Sequence, residues 1–276
     1  MHLTLGRRTY DLSTRALVMG ILNRTPDSFF DQGSYWDMDA FWRRAEELVA
    51  QGSDILDVGG VKAGPGPEVG EQEELDRVIP AVEGLCRRFD VPVSVDTWRA
   101  SVAETAYRAG AVMGNDISGF SDPRYLQVAA AAGAAVVATH IRLAPRVPDP
   151  EPSYGDVVAD VIDVLVRRVD QARAAGVGDD RIVVDAGLDL GKTAEQSQAL
   201  LLGTSRLASL GYPVLLSASN KRFLGDLLGL DVASRAHAST AAHAIGISLG
   251  ARLVRVHDVG AARRVRDVLA AIFEAA

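Results

Sequence analysis

Cysteine is almost missing from this chain: Cys86 stands alone among 276 residues. One thiol excludes an intrachain disulfide, so the fold must be held by its own core, and a reducing, cytoplasmic location is expected. Long apolar runs are missing too. The opening Met1-His2-Leu3-Thr4-Leu5-Gly6-Arg7-Arg8 has no apolar stretch of the kind a signal peptide needs. The greasiest segment, 128–138, is broken by Gly133 and falls far short of the roughly 20 residues that span a bilayer. Basic charge is in deficit, with 29 Lys and Arg against 36 Asp and Glu and a net charge of -7. An acidic surface gives nucleic acid little electrostatic footing, so neither a nucleic-acid partner nor a membrane is expected. No linker or low-complexity block divides the chain, and Gly64-Pro65-Gly66-Pro67 is its one Pro/Gly cluster. Residues 1–276 therefore read as a single domain, of a length that one α/β barrel accommodates.

What the chain does have is alternation. Short apolar or β-branched runs occur at 17–22, 55–58, 91–95, 112–113, 135–138, 182–184, 214–216 and 253–256. Between them lie longer segments with helical spacing, such as Phe41, Ala45, Leu48 and Val49, or Val157, Val161, Leu165 and Val169. Eight strands recurring about 34 residues apart suit a strand plus a crossover helix. An open doubly wound sheet would be expected to carry a G-x-G-x-x-G turn after its first strand, and none follows Met19-Gly20-Ile21-Leu22-Asn23. The expected architecture is α/β, a (β/α)8 or TIM barrel, with residues 3–10 as an N-terminal β-hairpin closing its bottom.

In such a barrel the chemistry sits where strands run out into the following loops. The polar residues there are Asn23, Asp57, Asp96, Asn115 with Asp116, His140, Asp185, 217–221, and Arg255 with His257. Each alone is equally well explained as a strand terminator or helix cap, for which Asp, Asn and Ser are preferred. Together they are harder to dismiss, because Asp57, Asp96 and Asp185 directly follow buried strand residues, where an unpartnered charge is costly. Asp96, Asn115, Asp185 and Lys221 mix donors and acceptors as the edge of a flat heterocycle requires. The stretch 217–221 with Arg255 and His257 matches the place where many barrels bind phosphate at a helix N-terminus.

Five segments in order carry a resemblance: Met19-Gly20-Ile21-Leu22-Asn23-Arg24-Thr25-Pro26-Asp27-Ser28-Phe29, Asp57-Val58-Gly59-Gly60, Ser94-Val95-Asp96-Thr97, Asn115-Asp116-Ile117-Ser118-Gly119 and Arg255-Val256-His257-Asp258-Val259. Over practically its whole length the chain resembles the dihydropteroate synthases. That family displaces pyrophosphate from a hydroxymethyl-dihydropterin with the amine of p-aminobenzoate, in folate synthesis. The resemblance implies Asp96, Asn115, Asp185 and Lys221 around a pterin-like ligand, and Asn23 at a Mg²⁺ ion. It implies Arg255 and His257 on the departing pyrophosphate. Asp31 and Lys221 are the catalytic candidates, Asp31 facing the developing positive charge. A homodimer through the last two helices, 234–249 and 261–275, is implied as well. Mg²⁺ and cations lower the cost of expelling a polyanion, and a loop that shuts out water protects a cation-like centre.

The departures are concentrated. Where the family has Gly-Gly-Glu-Ser-Thr-Arg-Pro-Gly, this chain reads Gly59-Gly60-Val61-Lys62-Ala63-Gly64-Pro65-Gly66, so a threonine and an arginine become Ala63 and Gly64. Ser-Arg-Lys becomes Ser219-Asn220-Lys221, Met-His becomes Thr139-His140, and Asp-Pro-Gly-Ile-Gly-Phe-x-Lys becomes Asp185-Ala186-Gly187-Leu188-Asp189-Leu190-Gly191-Lys192. Arg24 replaces a small aliphatic residue and Phe30 a serine; Lys62 and Arg24 are the cations that could compensate. The expectation is a homologue with absent or very weak synthase activity, keeping part of a pterin pocket and acting through a protein partner. The alternatives are a working synthase with a remodelled second loop, or a pterin-dependent methyl carrier, against which the retained Arg255 and His257 count. Cys86 reads as a core filler, His237 and His243 as structural or interfacial, and Trp36 and Trp42 as packing for the first loop or a face for a partner.

Overall fold

The computed structural model describes residues 1–25 and 37–275. Strands β1 (His2–Leu5) and β2 (Arg8–Asp11) pair antiparallel as a hairpin. Eight parallel strands follow: β3 (Leu17–Asn23), β4 (Ile55–Gly59), β5 (Val93–Asp96), β6 (Met113–Asp116), β7 (Ala135–Thr139), β8 (Ile182–Asp185), β9 (Val214–Leu216) and β10 (Ala251–Val256). They close into a barrel in chain order, with β10 returning to β3. All eight expected strands are present; six of them run one to three residues further at their C-terminal ends, β5 and β6 start later than expected, and β10 starts two residues earlier. The helices are α1 (Met38–Ala50), α2 (Glu71–Arg88), α3 (Ala100–Arg108), α4 (Tyr125–Ala132), α5 (Val157–Ala174), α6 (Ala194–Leu202), α7 (Thr204–Ala208), α8 (Arg222–Leu228), α9 (Ala236–Ser248) and α10 (Val259–Ala275). Local chemistry starts several of them. Asp37 and Asp156 cap α1 and α5, and Thr193 with Gln196 forms a capping box on α6.

Strand side chains alternate between faces, and in a closed barrel one face is the interior. Outward residues such as Val18, Leu56, Val95, Val184 and Val254 pack with the helices in one buried cluster. Inward residues Leu17, Met19, Ile55, Met113, Val137, Val183, Leu215 and Leu253 form a second cluster, which Leu3, Leu5 and Leu12 complete from below. The hairpin therefore plugs the N-terminal end of the barrel, as expected for residues 3–10. Two residues further along the same strands the inward parity continues, but the side chains become Asp57, Asn115, Asp185 and Arg255. The barrel is apolar at the bottom and polar at the top, and the site lies at the polar end.

Leu5 is 1% exposed, and truncating it opens a cavity under the inward cluster. Leu5→Ala should cost about 2–5 kcal/mol in chemical unfolding, while ligand affinity at the opposite end of the barrel stays within twofold of the wild type.

Candidate active site at the barrel mouth

Arg255 stands at the centre of the polar layer. Its Nε donates to Asp57 Oδ2 at 2.6 Å and its Nη2 to Asp96 Oδ2 at 2.9 Å. Asn115 Nδ2 donates to the same Asp57 oxygen at 3.2 Å. Parity and register bring these groups together from four strands, since Asp96 pairs with Asn115 across β5 and β6 and Arg255 with Met19 across β10 and β3. Asp57 is fully buried. Burial disfavours the Arg255 cation, but Asp57 and Asp96 outweigh it and hold the guanidinium charged. Burial pushes Asp96 up to about 7; Arg255 opposes the shift, while Asp57, Glu74 and Asp116 add to it. Asp57 was visible as a charge inside a hydrophobic strand, yet the sequence reading gave it no role; here it is the principal partner of Arg255.

On the other side of the barrel Asp185 Oδ1 accepts from Gly187 N at 2.7 Å, and burial raises its pKa against the pull of Lys221 and Lys192. Lys192 is 8% exposed, and its ammonium reaches His140 Nδ1 at 2.9 Å, Gly187 O at 2.9 Å and Leu190 O at 3.0 Å. Burial brings it down to about 7 and, with the neighbouring ammonium, His140 down to about 3. The neutral imidazole is the acceptor that an ammonium donor needs. Lys192 thus holds the loop after β8 from inside, a role the sequence alone did not reveal. Gly187 must be glycine: φ is +65°, and a Cβ would run into the carbonyl of His140.

His257 lies at the end of β10, its Nδ1 2.9 Å from Ser219 Oγ and 3.4 Å from Asn220 Nδ2. Burial, Arg255, Arg44 and Lys221 press it down to about 3, so the ring is neutral at physiological pH. Asn220, where the resemblance has arginine, is 6% exposed and adopts φ +56°, which asparagine tolerates. It turns inward against His257 and Ser239 rather than out toward a ligand.

A cleft of about 1150 Å³ opens above this layer, bordered by Asn23, Lys62, Asp96, Lys221, Arg255 and His257 among others. The start of the second loop keeps a rigid frame beneath it. Arg77 Nη1 donates to Gly60 O at 2.8 Å, Thr97 Oγ1 donates to the buried Glu74 at 2.6 Å, and Arg99 pairs with Glu74. Beyond that frame, Lys62 and Ala63 border the cleft, and a Cβ built on Gly64 would meet none of the described residues within 4 Å. Arg24 is buried, 7% exposed, and its guanidinium carbon lies 5.5 Å from the Phe41 ring centroid. Asp31 lies outside the described residues, as do Trp36 and Phe30. Among the described residues, no group of three or more His, Cys, Asp or Glu side chains could hold a metal.

One expectation needs correction. The start of α8 was read as N–H groups waiting for a ligand phosphate, but an internal carboxylate is already there. Arg222 N donates to Asp189 Oδ2 at 2.6 Å, and Phe223 N lies 3.3 and 3.4 Å from the two Asp189 oxygens. The α8 N-cap, Lys221, makes no side-chain cap bond of its own, so Asp189 caps the helix from the β8 loop. Asp189 sits at φ +64°, a left-handed conformation that suits the family's glycine and is unusual for other residues.

The chain matches the model of the pterin binding enzymes over residues 19–257. It belongs to the dihydropteroate synthase family. It is 43% identical over 264 residues to a Mycobacterium leprae protein named inactive dihydropteroate synthase 2, covering 94% of this chain and 91% of that one. To the dihydropteroate synthase of Bacillus subtilis it is 41% identical over 260 residues, covering 94% and 89%. It superposes on the crystal structure of the Yersinia pestis dihydropteroate synthase in complex with a sulfonamide drug with a TM-score of 0.95. The identity there is 37%, over 99% of this chain and 100% of that one. Family membership accounts for the barrel, the hairpin and the strand-end motifs. No helix among the described residues is long and apolar enough to cross a membrane.

Arg255→Met should leave Asp57 and Asp96 buried without their cation and cost about 3–5 kcal/mol of stability at pH 8. Carboxyls that hold protons more tightly folded than unfolded make folding stronger as pH falls. The deficit should therefore shrink between pH 8 and 5 in thermal unfolding, and a deficit independent of pH would rule out the paired-charge role.

Proposed function

We propose that this dihydropteroate synthase homologue binds a pterin at Asp96, Asn115, Asp185 and Lys221 but has lost most or all synthase turnover. The observation that carries this is the second loop, where Ala63 and Gly64 leave the mouth without the family's threonine and arginine. Two further observations support it: Arg24 is buried over Phe41, and Asp189 has taken the N–H groups that start α8. Identity does not separate an inactive from an active relative, since the M. leprae and B. subtilis proteins stand at 43% and 41%. The side chains at the mouth support the inactive reading. A charge-assisted hydrogen bond contributes about 1.5–3 kcal/mol, so losing one guanidinium from the transition state costs roughly 10- to 100-fold. Several losses in one site couple and do not simply add.

For Mg²⁺, the residues present fit in a limited way. Asn23 at the end of β3 borders the cleft, an amide oxygen is a hard donor, and Mg²⁺ accepts a site completed by water and ligand phosphate. When bound, the ion would supply charge neutralisation to a diphosphate. The chain's own residues would hold the heterocycle between Asp96, Asn115 and Asp185, with Lys221 and the neutral His257 at the rim. Homodimerisation through the last helices agrees with the exposed apolar residues Ile245 on α9 and Val268 and Ile272 on α10, and action through a protein partner completes the proposal.

The direct test supplies Mg²⁺, the dihydropterin diphosphate and labelled p-aminobenzoate. Turnover should lie orders of magnitude below the ordinary enzyme range of about 10 s⁻¹, and a rate near 1 s⁻¹ or above would overturn the proposal. Ala63→Thr and Gly64→Arg combined with Asp189→Gly should raise turnover at least tenfold if the rest of the site is intact. Pterin affinity should follow Asp96, whose carboxylate must accept ring N–H groups. With that group at about 7, affinity measured by calorimetry should rise about tenfold from pH 6 to pH 8.

A further inference from the structure

Lys221 stands between β9 and α8, and its ammonium has no hydrogen-bond partner among the described residues. A lysine ammonium rides on a flexible four-carbon stem, so its place depends on the backbone beneath it. That backbone is held from three sides. Asp189 takes the N–H groups of Arg222 and Phe223 just after it. Ser239 Oγ on α9 accepts from Asn220 N at 2.9 Å just before it. Arg235, at the N-cap position of α9, takes the carbonyls: its Nη1 donates to Asn220 O at 3.2 Å and to Lys221 O at 3.5 Å. The same guanidinium reaches the far end of α8, where Nε and Nη2 donate to Leu230 O at 3.3 and 3.2 Å.

Arg235 is 8% exposed, and its side-chain hydrogen bonds go to backbone carbonyls rather than to a carboxylate. A cation buried without a carboxylate partner is costly, and an apolar side chain would fill the space without that cost. What the guanidinium adds is a planar fork of five donors, which bridges carbonyls on different segments where a compact ammonium cannot. Its seat is shaped for it: a Cβ built on Gly225 in α8 would lie 2.3 Å from Arg235 Nη2 and 2.5 Å from its Nε. Leu230 N donates to Gly225 O at 3.0 Å, and a single turn at Val232–Ser234, capped by Asp231, leads back into α9. Both ends of α8 are thus tied to one side chain. We propose that Arg235 is a positioning residue for the mouth: by bridging the carbonyls at the two ends of α8, it fixes where the Lys221 ammonium meets the ring of a bound pterin. Lys221 is a ligand contact only in the pterin reading above, on which this role of Arg235 rests.

Two readouts on the full chain test it. In calorimetry, Arg235→Met should weaken 6-methylpterin binding about tenfold, and the same change made in a Lys221→Met background should weaken it by less than about twofold. A residue that acts only on the fold lowers affinity by the same factor in both backgrounds; that result, or no loss in the first background, overturns the proposal. The second readout needs no ligand. The chain has three lysines, Lys62, Lys192 and Lys221, so lysine-selective isotope labelling gives an NMR spectrum in which Lys221 is identified by its loss in Lys221→Met. Its side-chain resonance should shift in Arg235→Met while those of Lys62 and Lys192 keep their positions. A Lys221 resonance that stays in place, or three that move together, overturns the proposal. Should Arg235→Met fail to fold, Gly225→Ala carries the same expectations, because it keeps the guanidinium but pushes it off its seat, and alanine is the better helix former there. If the wild type binds no pterin, the pterin reading falls and the lysine resonances alone judge whether Arg235 positions Lys221.

Discussion

A guanidinium enclosed by the strands of a barrel has to be answered by carboxylates, and the pairing of Arg255 with Asp57 and Asp96 is the interaction on which the top of this molecule depends. Taken singly, each of these charges would be expensive to bury. Together they form a polar layer that Asn115 extends and that lies directly above an apolar one. The pairing ties β10 to β4 and β5, so it joins the last strand of the barrel to the first half of the chain. It also prepares acceptor and donor groups for a flat ligand without any loop having to move. The polar layer is thus part of the barrel itself, while the departures from the family's pattern lie in the loops above it.

Divergence lies one level further out. The frame below the second loop is intact, with Glu74 buried against Arg99 and Thr97, and the changed side chains at 62–64 sit on top of it. At the β8 loop a glycine position has become Asp189, which keeps the left-handed backbone and spends its carboxylate on α8. At the β9 loop Asn220 keeps a left-handed turn and folds back onto His257. In all three places the side chain that the resemblance expects is absent, and at two of them its replacement bonds within the chain. Such a pattern separates the demands of the fold from those of the chemistry, since backbone geometry is what the barrel needs and outward charge is what a polyanionic ligand needs.

Much of this was legible before any coordinates. The eight strands were recognisable because buried parallel strands are short apolar runs, and the opening residues were expected as a hairpin below them. Asp96, Asn115, Asp185 and Arg255 were recognisable as polar residues at the ends of apolar runs, and they do converge. Asp57 showed the same signal, but nothing in the chain said that its partner would be Arg255, 198 positions away. Lys192 could be seen in a motif but not as a buried strut, because its partners His140 and Gly187 come from two different loops. Arg24 was a candidate cation by its position, and its packing over the Phe41 ring was not legible from the motif. Arg146 had no motif at all; its place beside Ala63 arises from loops far apart in the chain.

The sequence by itself determined the barrel, its polarity from bottom to top and the set of groups at its mouth. Those follow from side-chain parity along each strand and from the repetition of strand and helix, both of which are local periodic properties. What only the tertiary structure decided is which of those groups remain available to a ligand. Asp189 turns from a pocket anion into a helix cap, and Arg146 turns from an ordinary loop residue into the neighbour of the second loop. Whether a charge meets solvent, a ligand or another part of the chain depends on contacts between distant segments, and these exist only once the barrel has closed.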